Sequence, residues 1–367
     1  MLCRVMYLPF VVISLLAFIF GCGPKPKEKI ELFSGSQYYY SEGLHRLESA
    51  DLNGALADFE KAQSLDPDFP GSYVGIAMVK MEMGDFESAL QMVKKAKQKD
   101  SSFAEAYIVN GRILTRRMTG DWIKEAIEEF DAALGLSPNS DAAYFYKAEA
   151  YKTAYMFAEA AEAYSRVSRL NGRFAHLAGE QLEIMHRLSK IAPQTLTGKR
   201  IALADRITRA DLTALLYEEL GLRRKVENSP LAYKSDPPPV YISDILSHPA
   251  RKWIEDIARL RLIGLEVYPD GTFKPDEPVR RLDFALVVQG ILSLFSDDPG
   301  LTTRYFGEQS RFRDVPSDHY AYNAMALCVV RGIMNPDRSG NFRPLDNISG
   351  LEVLTGITGL RRELKLE

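Results

Sequence analysis

The sequence is poor in cysteine, tryptophan and histidine: three Cys, two Trp and five His in 367 residues. Cys3 and Cys22 fall in the apolar opening segment and only Cys328 in the body, which excludes an intrachain disulfide framework there. Cys328 is expected as a small buried apolar residue. His45, His176, His186, His248 and His319 are scattered, with no His-Glu-x-x-His pair and no Cys-x-x-Cys, so no zinc site is expected. Neither a Gly-x-x-x-x-Gly-Lys-Ser/Thr nor a Gly-x-Gly-x-x-Gly phosphate cradle occurs. Residues 270–276 contain aspartates but lack the alternating carboxylates of a calcium loop. Glu128-Glu129 and Glu218-Glu219 are adjacent on expected helices, about 100° apart, and do not face each other as an acid-base pair would. A net charge of −3 without a basic stripe argues against nucleic acid. These absences point to a protein that is not an enzyme and takes neither cofactor nor metal.

The opening segment carries one charge, Arg4, followed by an apolar run over residues 7–20. That run suits a signal-peptide core better than a membrane span, which needs about 20 residues. The string Ile19-Phe20-Gly21-Cys22 resembles the bacterial lipobox. The resemblance implies a signal peptide over 1–21, acylation of Cys22, and a membrane-tethered mature chain. Residues 22–35, Pro-rich and charged, read as an extended linker. Gly23 is not the aspartate that, by the same resemblance, retains enteric lipoproteins in the inner membrane. The expected location is therefore the outer membrane, facing the periplasm.

From residue 36 to 172 the chain repeats itself. Tyr39, Tyr73, Tyr107 and Tyr144 recur in one register, as do Ala55, Ala89, Ala126 and Ala160, at spacings of 34 or 37 residues. Small residues recur at Gly43, Ala77, Gly111 and Ala148, and larger ones at Phe59, Val93, Phe130 and Tyr164. Each unit holds two apolar-periodic runs split by a turn, such as Met83-Gly84-Asp85, so two amphipathic helices per unit follow. The set resembles four tetratricopeptide repeat units. The segment 173–195, with an amphipathic stretch near 174–190, is expected to cap the last unit. The register places Tyr40, Leu44, Val74, Met78, Ile108, Arg112, Phe145 and Glu149 on the concave face. That face suits a protein or peptide partner with apolar anchors, and it lacks the clustered cations of a carboxylate clamp. The same stripe could instead pack against neighbouring units.

A second repeat fills 196–358. Ile207-Thr-Arg-Ala-Asp211, Val279-Arg-Arg-Leu-Asp283 and Ile348-Ser-Gly-Leu-Glu352 share a pattern, each followed by an apolar helical stretch. Thr208 with Asp211, and Ser349 with Glu352, are capping-box candidates; Arg280 departs at the cap position, which should weaken that helix start by ~1 kcal/mol. Upstream stand Ile242-Ser-Asp-Ile245 with His248, and Phe312-Arg-Asp-Val315 with His319. The string Tyr268-Pro-Asp-Gly-Thr-Phe-Lys-Pro275 has a turn at Asp270-Gly271, an apolar plug at Phe273 and a stop at Pro275. This half is similar to the S-layer homology family in triplicate, with a degenerate first copy that lacks the opening block. The resemblance implies that Arg209 and Arg281 line grooves that meet an acidic wall glycan or peptidoglycan; Gly350 stands where the third arginine would be. Residues 359–367 form a charged tail, and Pro237-Pro238-Pro239 an extended connector.

The expected fold is all-α, a helical solenoid followed by a mostly helical wall-binding module. The expected function is that of an outer-membrane lipoprotein adaptor, with a protein partner in the groove and a wall polymer on the C-terminal module. The alternative is an accessory lipoprotein of a secretion, pilus or outer-membrane assembly machine.

Overall fold

The computed structural model describes residues 35–222, 241–296 and 298–366. The lipobox, Cys22 and the proline connector lie outside the described residues. Among the described residues there are fifteen α-helices and no strand, and no helix long and apolar enough to cross a membrane.

Eight helices form four antiparallel hairpins: α1 (Gly35–Glu48) with α2 (Leu52–Leu65), α3 (Pro70–Glu82) with α4 (Phe86–Lys99), α5 (Ala104–Arg117) with α6 (Trp122–Leu136), and α7 (Asp141–Thr153) with α8 (Phe157–Leu170). Local chemistry sets their ends. Asp51 accepts from Gly54 N–H and Asp85 from Ser88 N–H as N-caps, while Pro70 opens α3 where no intrahelical donor is needed. Gly84 and Gly120 turn at φ +79° and +65°, in the left-handed region glycine tolerates best.

The small recurrent positions are explained by the rings they receive. A Cβ added at Gly43 or Gly75 would lie 2.6 Å or 2.3 Å from the Phe59 ring, and one at Gly111 would lie 2.6 Å from Phe130. Close helix approach and a fully buried aromatic are one solution to the same packing problem. After the fourth hairpin, α9 (Ala175–Ile191) packs on α8 and buries Ala178, Met185 and Leu188.

The C-terminal half holds α10 (Leu196–Ala202), α11 (Arg209–Glu218), a 3₁₀ turn (Ser243–Ile245), α12 (Arg251–Ala258), α13 (Arg281–Phe295), α14 (Tyr322–Val330) and α15 (Gly350–Glu363). The three equivalent segments before α11, α13 and α15 close a ring of backbone hydrogen bonds. Ile207 N–H donates to Ile348 O (3.1 Å), Ile348 N–H to Val279 O (3.0 Å), and Val279 N–H to Ile207 O (3.0 Å). All three side chains are buried. Capping boxes start α11 and α15, where Thr208 and Ser349 accept from the third residue and Asp211 and Glu352 accept in return. At α13 Asp283 accepts from Arg280 N–H, and a guanidinium has no acceptor to complete the box.

The ring is not symmetric. In the first copy α10 stands where the later copies have a loop, and Gly350 N–H donates to Ala204 O behind it. A Cβ at Gly350 would lie 1.8 Å from Ile201 O, which is why no arginine stands there. One apolar cluster runs from Ala148 and Tyr164 of the stack through Leu188 of α9 to Leu360 of α15. The two modules share a core.

Candidate functional site

Each later copy of the ring presents a loop held rigidly from beneath. Asp244 accepts from the N–H groups of Phe273 (2.8 Å) and Lys274 (2.7 Å); Asp314 accepts from Phe342 (2.8 Å) and Arg343 (2.7 Å). Phe273 and Phe342 are fully buried plugs. Lys274 and Arg343 are held at φ +54° and +57°, a conformation costly for residues other than glycine, and both side chains are exposed. His248 and His319 do structural work: each Nδ1 accepts from the N–H two residues on, at the start of α12 and α14.

Arg209 and Arg281 lie under these loops, 6% and 3% exposed. Arg209 donates from Nε to Phe273 O (2.8 Å), from Nη1 to Gly264 O (3.0 Å) and from Nη2 to Glu266 O (2.7 Å). Arg281 donates from Nε to Phe342 O (2.8 Å) and from Nη2 to Asn335 O (2.9 Å), and its Nη1 pairs with Glu352. Each guanidinium also faces its phenylalanine, at 4.6 Å and 5.0 Å from the ring centroid. Each arginine thus fastens one copy's helix to the next copy's loop. Burial pulls the Arg281 guanidinium down from its ordinary range, an effect the Glu352 carboxylate opposes.

Arg281 still borders a cavity of about 520 Å³ between the second and third copies. Its rim carries Asp337, Arg343 and Thr355 from the third copy, and Glu183 and Arg187 from α9. Asp337 and Arg343 belong to the loop that the sequence pattern aligns with Tyr268 to Pro275, where Arg343 is equivalent to Lys274, although the pattern gave neither a binding role; Thr355, Glu183 and Arg187 are not marked by it. The α9 pair depends on a packing contact that no motif encodes.

The eight residues expected on a concave face mostly contact side chains of their own and neighbouring units. Val74, Met78 and Ile108 are buried; Tyr40, Leu44, Arg112, Phe145 and Glu149 are half-buried. Tyr40 OH donates to Glu105 Oε2 (3.1 Å), joining the first unit to the third. Arg112 lies 4.3 Å from the Tyr146 ring centroid and 3.7 Å from Met78 Sδ. Phe145 stacks on Phe174 at 4.5 Å, and Glu149 pairs with Lys152 (2.8 Å) while accepting from Tyr164 OH. Burial raises both the Glu105 carboxyl and the Tyr40 hydroxyl; for Glu105 the Tyr40 hydrogen bond and Arg112 act in the opposite direction.

Among the described residues no group of His, Cys, Asp and Glu is arranged to hold a metal. Cys328 is fully buried, which pushes its thiol up.

Residues 46–112 match the tetratricopeptide repeat family model, and residues 265–285 and 311–354 match that of the S-layer homology domain. No curated protein matches the chain in sequence. Among solved structures, a thermophilic TPR protein of Thermus thermophilus is similar at 16% identity, over 52% of this chain and 96% of its own, with a TM-score of 0.38. The pilF protein of Pseudomonas aeruginosa is similar at 17% identity over 53% and 93%, TM-score 0.37. YrrB, described as a TPR protein with an unusual peptide-binding site, is similar at 19% identity over 44% and 80%, TM-score 0.31. The chain therefore carries a tetratricopeptide repeat region and an S-layer homology domain, joined in one all-helical molecule.

Proposed function

We propose that this protein is a non-catalytic adaptor of the bacterial cell envelope. The S-layer homology ring binds a wall glycan or peptidoglycan, and the helical stack docks a protein partner. The observation that carries this reading is the cavity over Arg281, which lies between two copies of the ring and has Arg343 exposed at its edge. Guanidinium groups suit the carboxylates and phosphates of wall polymers. Arg281 forms the floor of that groove, and Arg209 holds the equivalent loop of the preceding copy.

Partner docking is assigned to the concave face. Tyr40, Leu44, Arg112, Phe145 and Glu149 would meet the partner, with Val74, Met78 and Ile108 supporting them from beneath. Acylation at Cys22, in the outer membrane and facing the periplasm, would supply the third attachment. In this reading the chain binds neither nucleic acid nor cofactor.

The test is flotation: vesicles carrying the acylated full-length protein are mixed with purified sacculi in a density gradient. Sacculi that rise with the vesicles support the reading. Sacculi that pellet while the protein floats overturn wall binding, and fatty-acid labelling that survives Cys22→Ser overturns the anchor.

A further inference from the structure

The cavity over Arg281 is not built by the S-layer homology ring alone. One wall is Glu183 and Arg187, four residues apart and so on one face of α9, the helix that caps the stack. Its volume of about 520 Å³ lies within the range that holds a small ligand.

The charges around it differ in what they are already committed to. The Asp337 carboxylate accepts from the N–H groups of Asn341 and Ser339, which hold it below the usual carboxylate range. Glu352 closes the capping box on Ser349 and pairs with Arg281. Arg343 leans on Asp346 at 3.6 Å, an exposed pair of the kind that contributes little. Arg187 is exposed and hydrogen-bonds a neutral partner, Thr355 Oγ1, at 3.4 Å; no carboxylate of a described residue forms an ion pair with it. The cavity thus places two guanidinium groups, from two different modules, where an anion could neutralise both.

We propose that Arg187 is a ligand-binding residue, and that the cavity takes an anionic saccharide unit held between Arg187 of the stack and Arg343 of the third copy. This rests on the wall-polymer reading above and extends it: the stack contributes to the grip.

The experiment is co-sedimentation of the full-length protein with purified sacculi, for wild type, Arg187→Ala, Arg187→Lys and Glu183→Gln. Arg187→Ala should weaken binding about tenfold, with Arg187→Lys recovering part of the loss and Glu183→Gln binding at least as well as wild type. Thermal midpoints should stay together, since both positions are exposed. Sacculi treated with hydrofluoric acid, which removes phosphodiester-linked polymer, or with a carbodiimide and an amine, which neutralises carboxylates, identify the anion by which treatment abolishes binding. Wild-type binding that is unchanged in Arg187→Ala overturns this inference and leaves the wall reading standing. Binding that survives both treatments overturns the anionic ligand, and absence of wild-type binding overturns the wall reading and this one with it.

Discussion

Arg209 reaches 64 residues along the chain to the carbonyl of Phe273 and covers that residue's ring. Its three nitrogens satisfy three backbone carbonyls that the loop geometry turns inward. Removing the side chain leaves those acceptors buried and unmet, at about 1–3 kcal/mol each before relaxation. Arg209→Ala is therefore expected to lower unfolding stability by about 3 kcal/mol or more in urea titration. Arg209→Lys should not rescue it, because a point cation cannot span three diverging carbonyls. A loss under about 1 kcal/mol would mean that water reaches the loop.

Two glycines on neighbouring helices should respond oppositely to alanine. At Gly350 the new methyl would collide with the carbonyl of Ile201, a backbone atom that cannot swing aside. Gly350→Ala should cost about 1–3 kcal/mol by overpacking and open the ring at α10. At Gly179, within α9, an added Cβ meets nothing within 4 Å. Gly179→Ala should add about 0.5–1 kcal/mol. Calorimetry of both variants checks the pair.

Glu105 gives a pH signature. Burial raises its carboxyl above the ordinary value of 4.5. The folded state therefore holds that proton more tightly than the unfolded state, and the penalty for burying the charge grows as pH rises through the raised value. Glu105→Gln keeps an acceptor for Tyr40 OH and removes the charge. The variant should unfold at a higher temperature than wild type at about pH 7, with the difference vanishing well below the ordinary carboxyl value of 4.5. An equal difference at both pH values would place its cause outside this titration.

The helical stack was legible because its signal is local and redundant. Gly43, Gly111, Phe59 and Phe130 recur in register since every hairpin must solve the same packing problem. The Tyr268 to Pro275 loop was legible for a related reason: Gly271 and Phe273 each have a backbone or burial role that few other residues fill. What the sequence did not yield was direction. Arg209 and Arg281 read alike as groove-lining cations, yet Arg209 turns all three donor nitrogens toward carbonyls of the following copy, whereas Arg281 binds two carbonyls and Glu352 and still borders the cavity. The apolar concave stripe likewise gives up Val74, Met78 and Ile108 to the core. Arg187 could not be marked at all, because its place depends on α9 meeting α15, a contact between modules with no repeat to announce it.

The most direct measurement is saturation binding of the full-length protein to purified sacculi, with soluble sugar assayed in the supernatant over the same hours. The account predicts saturable co-sedimentation and no sugar released above the sacculi alone. Protein that stays in the supernatant, or sugar that accumulates with time, would contradict it.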